Sequence, residues 1–124
     1  MLQVTPEIDR QLHPDGETDD ALYCRACGHL VTRHRWGLNQ GGNEHRLANP
    51  IGLVFTVICF AEAPGAVTSG APTHEHTWFE GYEWCFALCR SCQEHLGWYY
   101  RGGSSPADFF GLIKDRLSTA KRST

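Results

Sequence analysis

The sequence predicts a mainly β domain, on three observations. Residues 52–60, Gly-Leu-Val-Phe-Thr-Val-Ile-Cys-Phe, are β-branched and aromatic, the composition of a buried strand. Two Cys-x-x-Cys knuckles, at Cys24 and Cys27 and at Cys89 and Cys92, each sit beside short extended segments. The stretches between these segments are rich in Gly and Pro, which punctuate chains into turns and loops. A chain of 124 residues suits one compact domain with a small core.

The elements follow in order. Residues 1–20 have few large apolar groups and contain Pro6, Pro14 and Gly16, so they are expected to form a flexible arm. The ordered domain is expected at 21–118. Ala21-Leu22-Tyr23 leads into the first knuckle, and a second short strand follows over 29–34. Residues 36–44 hold Gly37, Asn39, Gly41, Gly42 and Asn43, the composition of a loop. The central strand comes next, and then a second loop over 62–77, with Pro64, Gly65, Gly70 and Pro72. Strands at 84–88 and 96–101 bracket the second knuckle. Ser105, Pro106 and Asp108 make an N-cap, a first-turn proline and an early acid. Phe109, Leu112, Ile113 and Leu117 follow at helical spacing, which predicts a short C-terminal helix and a frayed tail at 119–124.

Charge narrows the function classes. The net charge is −3, and residues 1–20 hold six acids against the single base Arg10. The remainder is close to neutral and lacks the clustered Lys and Arg of a nucleic-acid interface. The longest apolar run, 51–63, falls short of the roughly 20 residues that span a bilayer. The N-terminus lacks the basic-then-apolar pattern of a secretory signal. A cytoplasmic protein with no membrane partner is expected.

In a reducing compartment, doubled Cys-x-x-Cys pairs indicate metal before disulfide. Four thiolates match the tetrahedral preference of zinc and leave no open position, so one structural Zn2+ on Cys24, Cys27, Cys89 and Cys92 is expected. It would close a long loop and pin distant hairpins together.

Three of the four tryptophans cluster in sequence around the second knuckle: Trp78 ends a polar loop, Trp84 opens a strand, and Trp98 lies two residues before Tyr100 on one strand face. Indole faces assembled this way would hold a flat or a cationic group. Glu80 and Glu83 would serve a cation, whereas a neutral ring would need backbone hydrogen bonds along its edge. Both options stay open on the residues alone. His74 and His76 also suggest a metal pair, though a polar loop explains them as well.

The order His76-x-Trp78-Phe79-x-Gly81-Tyr82-x-Trp84, Cys89-x-x-Cys92, His95-x-Gly97-Trp98-x-Tyr100, with Asn49-Pro50 upstream, resembles the thalidomide-binding (CULT) domain family of cereblon, nearest its bacterial single-domain members. The resemblance covers about residues 22–118. It implies a β-tent, two antiparallel sheets pinned by zinc. It implies a non-catalytic pocket walled by Trp78, Trp84 and Trp98, with Tyr100 behind, His76 on the edge, and Asn49, Pro50 and Phe55 at the entrance and floor. The family's ligands are cyclic imides: the glutarimide of thalidomide-type compounds, uracil-like rings, and C-terminal cyclic imides on peptides. The ligase-docking region of the eukaryotic proteins is not expected here, and a monomer is. The alternatives are a thiol-dependent reductase of the related methionine sulfoxide reductase-like zinc fold, which would need Cys59 or Cys85, and a methyl-ammonium reader.

Overall fold

A computed structural model of the chain describes residues 20–38 and 44–119. Except for Asp20, the expected arm at 1–20 lies outside the described residues, as do residues 120–124 of the expected tail. Among the described residues, nine strands form two antiparallel sheets. They are β1 (Ala21–Cys24), β2 (Leu30–Arg33), β3 (Glu44–Ala48), β4 (Val54–Phe60), β5 (Ala66–Thr73), β6 (Glu83–Cys89), β7 (His95–Arg101), β8 (Asp108–Ile113) and β9 (Leu117–Ser118). The small sheet runs β2-β1-β9, and the large one runs β3-β4-β8-β7-β6-β5. No helix among the described residues is long and apolar enough to cross a membrane.

Both faces of the large sheet are covered, which explains its composition. On one face Phe60, Ala87, Leu96 and Leu112 pack with Leu22, Val31 and Leu117 of the small sheet. On the other, Val57, Cys59, Trp98, Tyr100, Phe109 and Ile113 pack under Trp78, Phe79 and Tyr82 from the β5–β6 connection. Alternation along each strand sends successive side chains to opposite faces. The chain therefore builds two small cores back to back, one beneath the small sheet and one beneath the aromatic loop.

The expected C-terminal helix is instead β8, a 3₁₀ turn at Lys114–Arg116, and β9. The reason lies in the double coverage. A strand buried on both faces needs apolar residues at every position, so Phe109, Leu112 and Ile113 satisfy helical spacing without being helical. The loop expected at 62–77 contains β5, an edge strand with an irregular register between Ser69 and Thr73. Among the described residues its outer edge makes no pair in the sheet, which is where Pro72 is tolerated. The loop expected at 36–44 ends where β3 begins, and residues 39–43 lie outside the described residues. The central strand starts at Val54 and is second from the edge, with burial confined to Val57, Cys59 and Phe60.

One bulge governs the site. Leu88 pairs with His95 and Ala87 with Gly97, so Leu96 is an extra residue in β7. Leu96 drops into the core under the small sheet, and the alternation then resumes with Trp98 and Tyr100 on the aromatic face. Gly97, beside the bulge, lies against β8 so closely that a Cβ there would collide with the Gly111 carbonyl and the Leu112 Cα. Both obstacles are backbone, so the strands would have to part. Gly97→Ala is expected to cost about 1–3 kcal/mol in urea unfolding, as overpacking does.

Candidate functional site

The two knuckles are built alike. Cys24 ends β1, and the Gly28 N–H returns to its carbonyl at 2.7 Å; Cys89 ends β6, and the Gln93 N–H returns to its carbonyl at 2.8 Å. The closing residue has positive φ in both, 84° at Gly28 and 67° at Gln93. Both knuckles also read Cys-Arg-x-Cys, and both arginines act as braces. The Arg25 guanidinium donates to the Asp115 and Leu117 carbonyls (2.8 and 3.1 Å), and that of Arg90 to the Pro64 and Ala66 carbonyls (3.0 and 3.3 Å). The sequence signal for these braces is the repeated Cys-Arg dipeptide, which the zinc spacing alone does not require.

The four thiol sulfurs lie within 4.8 Å of one another, with Cys24 to Cys92 at 3.7 Å and Cys27 to Cys89 at 3.6 Å. A zinc tetrahedron with bonds of about 2.3 Å has edges of about 3.8 Å, so the cluster is a zinc site of four sulfur ligands. Among the described residues it is the one cluster of three or more such groups, and His74 and His76 do not form a second. The site joins β1 of the small sheet to β6 of the large one. Before metal binds, burial pushes the Cys24 thiol up to about 12. Zinc must displace that proton and others, so acid opposes binding. Zinc affinity measured against a competing chelator is expected to fall by more than tenfold per pH unit from about pH 8 to about pH 6.

On the opposite face of the large sheet, Asn49, Pro50, Phe55, His76, Trp78, Trp84, Trp98 and Tyr100 line one cavity of about 320 Å³. Phe86 and His95 line it too. Neither is among the site residues that the sequence predicts. Phe86 looked like an ordinary strand residue, and the bulge at Leu96 hides His95 from period-two alternation.

The rings touch in a continuous edge-to-face series. Trp84 meets Phe86 at 5.3 Å, Phe86 meets His95 at 5.4 Å, and His95 meets Trp98 at 5.1 Å between centroids. Trp98 also meets Trp78 at 4.8 Å and Phe55 at 5.5 Å. Two indoles are pinned through their N–H groups, Trp78 to the Ala48 carbonyl (2.8 Å) and Trp84 to the Glu75 carbonyl (2.7 Å). Tyr100 lies behind them, 1% exposed, and burial raises its phenol above the ordinary value. Asn49 is a loop pin at the entrance: its Oδ1 accepts from the Ile51 and Leu53 N–H groups at 3.1 and 2.9 Å.

The rim carries the polar information. His74 to Thr77 is a turn closed by the Thr77 N–H on the His74 carbonyl at 3.1 Å, with His76 at φ 58°. Among the described residues, neither the His76 carbonyl nor the Trp78 N–H is paired within the chain. Among the described residues, the lining holds no carboxylate. Glu83 instead pairs with Arg101 at 3.2 Å and approaches His74 at 3.8 Å, and Glu80 is not in the lining. Burial lowers the His95 imidazole below its ordinary value, which favours its neutral form. Cys59 and Cys85 are both buried, and burial raises the Cys85 thiol, the opposite of an activated nucleophile.

Fold and site together define a zinc-stapled β domain with an aromatic pocket. Over most of its length the chain is similar to cereblon. It is 36% identical to cereblon of Danio rerio over 103 residues, covering 78% of this chain and 24% of the relative. It is 32% identical to cereblon of Gallus gallus over 103 residues, 78% of this chain and 23% of the relative. It is 29% identical to cereblon of Drosophila willistoni over 128 residues, 95% of this chain and 21% of the relative. The chain thus spans under a quarter of the length of these relatives. No family model matches it.

Proposed function

We propose that this domain is a non-catalytic binder of cyclic imides, with glutarimide-like rings as the reference ligand. Uracil-like rings and peptide ends that carry a cyclic imide belong to the same class. The observation that carries this reading is the His76 carbonyl and Trp78 N–H, unpaired among the described residues, on the rim of an indole-walled cavity. An imide presents an N–H flanked by two carbonyls. The His76 carbonyl would accept from that N–H, and the Trp78 N–H would donate to one carbonyl. The His76 imidazole is available to the other. The ring's CH₂ groups would rest on Trp78, Trp84 and Trp98. Pairing the polar edge avoids a cost of about 1–3 kcal/mol per unsatisfied buried group.

Two features weigh against a methyl-ammonium reader: among the described residues the lining lacks a carboxylate, and Glu83 is engaged with Arg101. The buried, upshifted Cys85 weighs against a thiol reductase. Parallel tryptophan-fluorescence titrations with glutarimide, uracil and a trimethyl-ammonium compound test the proposal. Saturable quenching by glutarimide, undisturbed by excess ammonium compound, is expected. Quenching by the ammonium compound alone would overturn it.

A further inference from the structure

The cage has walls, and one wall has a support that the ligand reading does not use. His95 enters β7 just before the bulge at Leu96, which turns its ring to the same face as Trp98. The imidazole Nε2 lies 2.9 Å from the Gly97 carbonyl. A carbonyl only accepts, so Nε2 carries the hydrogen and the ring is tied to its own strand. The backbone at His95 is held as well, because Arg116 Nη1 donates to its carbonyl at 2.6 Å. The fixed ring stands at 87° to Trp98 and at 83° to Phe86. Trp98 therefore has Phe55 and Trp78 as neighbours and, in addition, one ring whose angle the backbone sets.

The geometry points to His95 as a positioning residue that fixes the Trp98 indole in its ligand-ready orientation before any ligand arrives. This inference rests on the reading of the cavity as a binding site. Edge-to-face contact is directional, because the positive ring edge of one partner meets the negative face of the other. A ring free to turn would let Trp98 turn with it. The bulge, the Nε2–H to Gly97 bond and the bare Gly97 Cα act as one device: they place an aromatic edge where regular alternation would not.

The test uses the full zinc-loaded chain and three variants. His95→Gln keeps an amide donor for the Gly97 carbonyl but removes the ring, His95→Phe keeps the ring without the anchor, and His95→Ala removes both. Near-UV circular dichroism of the ligand-free protein reads tryptophan orientation, and a glutarimide titration reads affinity. His95→Gln and His95→Ala are expected to alter the aromatic dichroism and weaken binding about tenfold, and His95→Phe about threefold. Zinc content serves as the folding control, and His95→Phe remains informative if the smaller variants misfold. Unchanged dichroism with weakened binding would make His95 a ligand contact and overturn the positioning role. Unchanged affinity would overturn it too. If the wild type bound no imide, the functional reading would fail while the dichroism still reported whether His95 orients Trp98.

Discussion

Stripping zinc with a strong chelator is expected to unfold this domain rather than loosen it. Among the described residues the small sheet holds β1, β2 and the two-residue β9, too little to stand alone. It is held by Leu22, Val31 and Leu117 against the large sheet, and by Cys24 and Cys27 against Cys89 and Cys92. Structural zinc contributes on the order of 10–16 kcal/mol at neutral pH, as much as or more than the about 5–15 kcal/mol that separates folded from unfolded domains. Loss of near-UV dichroism with loss of metal, and recovery on adding zinc back, is the expected pattern in a thermal melt with metal analysis. Metal-free protein that melts at the same temperature would refute it. The ligands should also differ: Cys24 is 1% exposed while Cys92 is at the surface, so Cys24→Ser should be the more damaging substitution.

The zinc cluster was legible in the sequence because a metal imposes local spacing. A Cys-x-x-Cys turn declares its function within four residues, and two of them declare a tetrahedron. The shared strand face of Trp98 and Tyr100 was legible by simple alternation. What stayed hidden depended on tertiary context. Phe109, Leu112 and Ile113 fit a helix because nothing local reports that β8 is covered on both faces. β5 reads as a loop because an exposed edge strand places few demands on its residues. His95 was invisible as a lining residue because a bulge, which leaves no fixed mark in sequence, reverses the face it occupies. In each case the missing information concerned what lies across from a residue, not the residue itself.

Among the cage walls, Trp84 and Trp98 should separate binding from folding. Trp98 is 8% exposed and belongs to the core with Val57, Tyr100 and Phe109. Trp98→Ala removes a wall and opens a cavity, so it is expected to lose about 3–5 kcal/mol of stability along with the ligand. Trp84 is only half-buried at the margin of the same core, and its indole makes one hydrogen bond to the Glu75 carbonyl and an edge contact with Phe86. Trp84→Ala should therefore leave zinc content and melting temperature nearly unchanged. It should still weaken glutarimide binding about a hundredfold, the scale at which an aromatic hot spot acts. The diagnostic result is the contrast, measured by calorimetric titration beside a melt of each variant. If Trp84→Ala bound glutarimide as the wild type does, the indole walls would be core packing alone and the proposed pocket would lose its principal support. If it lost binding only in step with stability, the same conclusion would hold. Binding lost at constant stability is the outcome that a preformed aromatic cage requires.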